Sequence, residues 1–201
     1  TVCPSGTVSI GAAVDDIRSG RCNLAVAGAT ESTISFFTFV TFIAAGLLAA
    51  DSDIPPEKIM RPYDKTRDSG VLSEGAAFVV LEELEHARMR GAHIYGELVG
   101  HAHRNRRRGM KSTKNTMLTT LRATIEDARM PAAEVDYIAA NGVSTKILDR
   151  SETDAIKEIF GDYAYRIPLS AIKSMIGIPN SSIGPMQLIS SLLSFETDVI
   201  P

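Results

Sequence analysis

Apolar residues recur along this chain with two different periods. Ile10, Ala13, Val14 and Ile17 stand three and four residues apart, which predicts a helix closed by Ser19-Gly20, with Pro4 in its first turn. Unbroken apolar runs at Asn23 to Ala29 and Ala76 to Leu81 read as buried strands. Glu82 to Arg90 reads as a short charged helix closed by Gly91, and Ile94 to Gly100 as another strand. Thr116 to Ala128 predicts a helix with Leu118, Leu121 and Ile125 on one face. Val135 to Ala140 reads as a strand and Ser151 to Phe160 as a helix opened by Ser and an acidic pair. A strand at Ile167 to Ala171 and an apolar helix from about Ile183 to Phe195 follow. This alternation predicts an α/β fold whose strands are covered on both faces, with no fixed-period repeat.

The segment from Ile34 to Ala50 is charge-free and nearly long enough to cross a bilayer. Ser35, Thr38, Thr41 and Gly46 interrupt it and no basic flank orients it, so a core helix or an apolar pocket wall is expected in place of a membrane span. Phe36, Phe37, Phe39 and Phe42 make it the most aromatic stretch. Core packing and an acyl-binding wall, with Phe42 in it, both fit.

With 201 residues, 44% apolar content and a net charge of -3, the chain can bury a core and is expected to be soluble. Its two cysteines, Cys3 and Cys22, form no disulfide framework and suit a reducing cytoplasm. The chain starts on Thr1, almost at its most reactive residue, which suggests a piece of a longer protein.

That residue is Cys3. In Thr1-Val2-Cys3-Pro4-Ser5-Gly6 it stands on the turn that opens the first helix, where unpaired backbone donors and the positive end of the dipole favour thiolate over thiol. A buried, inert cysteine is the alternative.

Two loops carry clustered charge. His101 to Lys114 holds four arginines and two lysines without an acid, whereas Arg61 to Asp68 mixes both signs. The acidic balance of the whole chain and the lack of interleaved aromatics argue against nucleic acid as a partner. A solvated loop, or docking of an acidic protein or a phosphate through Arg104, Arg106, Arg107 and Arg108, fits better. His101 and His103 lack a carboxylate or cysteine at useful spacing, so no metal site is expected.

Taken together these segments resemble the beta-ketoacyl-acyl carrier protein synthases, the elongating condensing enzymes of fatty acid and polyketide synthesis. The resemblance rests on Cys3 with Ser5-Gly6, on Val26 to Ser32, and above all on Arg61-Pro62-Tyr63-Asp64-Lys65-Thr66-Arg67-Asp68-Ser69-Gly70 leading into Ser73-Glu74-Gly75-Ala76. It continues through Val79 to Ala87, Val135 to Ile138, Glu152 to Lys157 and Lys173-Ser174-Met175. It implies a thiolase-like fold, layered α-β-α-β-α and present here as a fragment. Residues 1–92 would end an N-terminal half that starts at the nucleophile, and residues 93–201 would begin the C-terminal half.

The resemblance also implies the chemistry. Cys3 would take an acyl group from the phosphopantetheine of an acyl carrier protein, and decarboxylation of a malonyl thioester would supply the attacking carbanion. No cofactor would be bound by the chain itself. A homodimer, or a heterodimer with a ketosynthase, is implied as well.

At both family histidine positions the chain departs. Asn141-Gly142-Val143-Ser144-Thr145 stands where the family has His-Gly-Thr-Ser-Thr, and Ile178 stands at the second histidine. Cys3 and Lys173 remain, with Asn141 as a partial oxyanion donor and Thr145 and Ile178 expected to line the substrate site. Lys173 and Glu152 fit a buried, charge-compensated structural pair slightly better. Impaired condensation follows, or a non-catalytic role like that of the chain-length factors, although those typically lack the cysteine.

Overall fold

The computed structural model describes residues 3–48, 53–105 and 113–201. Their Cα packing divides into two compact units that interleave along the chain. The first takes residues up to Thr33, then Ser73–Leu98 and Pro179–Pro201, and the second takes Ile34–Leu72 and Val99–Ile178.

The first unit is built on helix α1 (Ser5–Arg18), strand β1 (Leu24–Glu31), strand β2 (Gly75–Glu82), helix α3 (Leu84–Met89) and helix α7 (Ile183–Thr197). Pro4 is the N-cap of α1 and not its first helical residue. Ser19 caps the far end, and Gly20 at φ 73° turns the chain back towards β1. β1 and β2 pair antiparallel, Leu24 opposite Glu82 and Glu31 opposite Gly75.

Alternation then sorts the side chains of this ribbon. Ala25, Ala27, Val79 and Leu81 pack with Ile10 and Ala13 of α1 and Leu188 of α7. The other face is bare: Val26 and Val80 are 66% and 64% exposed, and Leu24 and Phe78 stand in solvent with them. The expectation of strands covered on both faces therefore fails, because within this unit helices lie on one face only. Gly28 is needed where the strands close up, since a Cβ there would run into the Ala77 carbonyl and lie 2.7 Å from Phe78 Cα. The expected strand at Ile94 to Gly100 does not form: among the described residues that stretch joins neither sheet.

The second unit contains α2 (Phe36–Ala44), α4 (Thr113–Ala128), β3 (Ile138–Ala139), α5 (Lys146–Phe160), β4 (Leu169–Ser170) and α6 (Lys173–Ile176). The two strands pair in parallel but span only two residues each, where longer runs were expected. α5 starts five residues earlier than the Ser151 signal predicts. Its N-cap is Thr145, whose Oγ1 accepts the Leu148 N–H at 3.4 Å.

The apolar segment around α2 is the clearest departure. No residue of that helix is buried, and Phe36 and Phe37 are 86% and 77% exposed. It is therefore not a core helix of this chain, and Phe42 is only half-buried. Among the described residues no helix is long and apolar enough to cross a membrane.

Candidate functional site

Cys3 lies in the first unit and Asn141, Lys173, Thr145, Ile178 and Phe42 in the second, so the candidate residues form two groups.

In the first unit Cys3 is exposed on the turn just ahead of α1. Its Sγ lies 3.6 Å from Asn180 Oδ1, an ordinary S–H to oxygen hydrogen-bond separation given the size of sulfur. Asn180 is 2% exposed, has φ 40°, and opens the 3-10 turn Asn180–Ser182 that leads into α7. Its Nδ2 donates to Thr33 Oγ1 at 3.1 Å. The next residue is held by strand β1: Ser181 N donates to Glu31 Oε2 at 3.1 Å and Ser181 Oγ to the Thr30 carbonyl at 3.2 Å.

Glycines let the first turn of α1 approach this segment closely. A Cβ on Gly6 would collide with the Ser181 carbonyl and lie 2.7 Å from the Pro185 ring. The Cys3 turn is thus held to the Asn180 turn by backbone proximity. The sequence reading missed Asn180. Its legible signal was Pro179-Asn180, a turn dipeptide on the way into an apolar helix.

The second unit holds a buried polar network around Asn141. Lys173 is 1% exposed, and its Nζ donates to the Asn141 carbonyl at 2.6 Å and to Asn141 Oδ1 at 2.5 Å. An ammonium has no acceptor, so the carboxamide must present oxygen to Lys173, which leaves Nδ2 as its donor end. Glu152 closes the loop from the opposite side. Its Oε1 accepts Asn141 N at 2.7 Å, and its Oε2 accepts Gly142 N at 3.0 Å and the Tyr63 hydroxyl at 2.7 Å. Lys173 and Glu152 are therefore joined through Asn141, one gripping its carbonyls and the other its amide N–H.

Asp149, fully buried, ties the same loop to the Arg61–Asp68 segment. It accepts Val143 N and Tyr63 N, both at 2.9 Å, and pairs with Arg67 Nε at 3.1 Å. Burial, then the neighbouring Glu152 carboxylate, push the Tyr63 phenol well above the ordinary tyrosine range, so it stays protonated as a donor. Gly142, at φ 38°, sits where a Cβ would press on Ala171 and Pro62, which explains a glycine between the two anchored residues.

The other expected site residues are engaged in structure. Ile178, 5% exposed, packs with Met60 and Val143 in an apolar cluster flanked by Val71 and Leu148. Thr145, also 5% exposed, spends its hydroxyl on capping α5, and its carbonyl accepts Arg67 Nε at 3.3 Å. Arg104 is exposed and donates to the His103 carbonyl at 3.0 Å. Arg106, Arg107 and Arg108 lie outside the described residues. His101 and His103 line a surface groove with Glu126 and Asp127, and Asp127 accepts His101 N, so acids share that groove with the bases.

Comparison with known proteins places the chain. The family description Beta-ketoacyl synthase, N-terminal domain, matches residues 1–87, and Beta-ketoacyl synthase, C-terminal domain, matches residues 92–201. The chain belongs to the beta-ketoacyl synthase family. It is 41% identical, over 204 residues, to the tetracenomycin polyketide synthase ketoacyl synthase alpha subunit of Streptomyces glaucescens, covering 100% of this chain and 48% of that one.

Among solved structures it matches a type II polyketide synthase acyl carrier protein in complex with its ketosynthase bound to the hexaketide. The TM-score is 0.94 at 33% identity, with 100% of this chain and 50% of that one covered. It also matches the ishigamide ketosynthase/chain length factor, with TM-score 0.84, 30% identity, and coverage of 100% and 48%. The fold is therefore the thiolase-like fold of the ketosynthases, and the chain spans about half the length of the relatives it matches.

Proposed function

We propose that this beta-ketoacyl synthase family member works in fatty acid or polyketide synthesis, that it accepts an acyl group on Cys3, and that its decarboxylative condensation is impaired. The donor would be the phosphopantetheine thioester of an acyl carrier protein. The Cys3 thiolate would attack the thioester carbonyl, and collapse of the tetrahedral oxyanion would expel the pantetheine sulfur, which takes up the proton. The observation that carries this reading is the exposed Cys3 on the turn ahead of α1.

The second half of the proposal follows from Asn141 and Ile178. Losing one donor aimed at developing oxyanion charge costs about two to three orders of magnitude in rate. Asn141 keeps one neutral donor, Nδ2, because Lys173 holds its oxygen. Ile178 offers none, and its burial among Met60 and Val143 supports a packing role. Malonyl-carrier protein should accordingly release carbon dioxide at no more than the background rate. An Asn141→His, Ile178→His double variant of the full-length protein should release it faster, and robust turnover by the unaltered protein would overturn the assignment.

A second reading has its own support. The ishigamide match is to a ketosynthase/chain length factor, so a non-catalytic partner subunit of an active ketosynthase fits the same sequence with Ile178 as a wall residue. A stable acyl adduct on Cys3 favours the first reading, and none at any acyl length favours the second.

Partners belong to the proposal too. The solved complex of a carrier protein with its ketosynthase supports a carrier protein as partner, docked on Arg104 and the basic stretch that contains Arg106, Arg107 and Arg108. Reversing those four charges should weaken carrier binding and flatten its salt dependence, measured by titration at several ionic strengths. Pairing as a homodimer, or as a heterodimer with a ketosynthase, is supported by the apolar surface left at Val26, Phe78, Val80, Phe36 and Phe37.

A further inference from the structure

We infer that Asn180 is a positioning residue for Cys3: its carboxamide oxygen accepts the Cys3 S–H and holds the sulfur, as thiol, on the turn ahead of α1. The assignment rests on Cys3 being the reactive thiol of the proposed function, and goes beyond it by naming a group that acts on that thiol.

Three observations within the first unit carry it. Cys3 Sγ and Asn180 Oδ1 are 3.6 Å apart although the residues are 177 positions apart in sequence, so the contact is made by the fold. Asn180 is almost fully buried and its other end is fixed, with Nδ2 donating to Thr33 Oγ1, so the oxygen end faces the sulfur. Its backbone, at φ 40°, is pinned by the Ser181 bonds to Glu31 and Thr30 and by the close approach of Gly6. Asparagine is among the few residues that reach this backbone region at low cost, and the only one of those with an amide to offer. Glu31 is the charged group that β1 brings to this turn, and it is occupied by Ser181 N.

An oxygen acceptor favours the protonated form of the group it faces. Asn180 therefore works against the helix terminus, which favours thiolate. The consequence is a nucleophile kept in place and in reserve until a substrate displaces the contact. Ile178, two residues earlier in the sequence, has no atom able to do this.

The test is the pH profile of Cys3 alkylation by iodoacetamide, read by intact mass on the intact protein in a Cys22→Ser background. Asn180→Gly keeps the left-handed backbone and deletes the amide. It should shift the alkylation midpoint to lower pH and raise the neutral-pH rate about threefold. Thr33→Val releases the other end of the amide and should shift the midpoint the same way by less. A merely structural role would change access and scale the rate equally at every pH, leaving the midpoint in place. An unmoved or raised midpoint in Asn180→Gly overturns the inference, and if that variant fails to fold, the same result in Thr33→Val does so. Alkylation needs no acyl donor, so absence of an acyl adduct would sink the proposed function without touching this result, and the reverse holds equally.

Discussion

Lys173 and Asn141 anchor the buried polar network of the second unit. In this chain the buried ammonium is satisfied by two carbonyl oxygens of one residue, 2.6 and 2.5 Å away. Lys173→Met strands both oxygens, and we expect it to destabilise the protein by about 2 to 3 kcal/mol, measured by urea unfolding. Tyr63 gives a pH prediction. Its folded-state pKa is raised above the unfolded value of about 10, so its contribution is fully present below pH 10 and is lost as pH climbs beyond it. Alkaline titration of stability should fall from that point, and less steeply in Tyr63→Phe.

At this scale Cys3, Lys173, Asn141 and Ile178 could be singled out from the sequence, because residue identity is readable directly. Asn180, Asp149 and Tyr63 were not legible as site residues. The contacts from Cys3 to Asn180 and from Tyr63 to Asp149 span 177 and 86 positions, and nothing local records them.

Among the elements, α1 was legible from its three- and four-residue apolar spacing and its Ser19-Gly20 stop, and α7 from its apolar run. The predicted strand at Ile94 to Gly100 was not realised because a strand exists only with a partner to bond, and the pattern cannot supply one. α5 started early because Thr145 is a good cap, and a capping side chain outweighs the later acidic signal. Thr145→Ala should cost about 1 kcal/mol in thermal or urea unfolding. Gly6→Ala tests the junction between α1 and the Asn180 turn. Overpacking against the Ser181 carbonyl and Pro185 should cost about 1 to 3 kcal/mol and should slow Cys3 alkylation by displacing its turn.

For the whole molecule the decisive feature is apolar surface that stays outside. One face of the β1–β2 ribbon and Phe36, Phe37 and Phe39 of α2 are exposed, although the composition predicts an ordinary core. Phe36→Ser with Phe37→Ser should reduce concentration-dependent self-association in light scattering while leaving the unfolding midpoint within about 0.5 kcal/mol of the parent, since neither ring is buried. The Asn141→His, Ile178→His double variant carries a cost on this scale too, because Ile178→His puts an imidazole among Met60 and Val143. We expect faster carbon dioxide release together with a stability loss of about 2 kcal/mol. The proposed role of Cys3 as acyl acceptor is open to a direct measurement. Incubating the full-length protein with acyl-carrier protein thioesters of several chain lengths and weighing it intact tests this directly. We expect a mass increase of one acyl group that disappears in Cys3→Ala; an unchanged mass at every chain length would rule out that role.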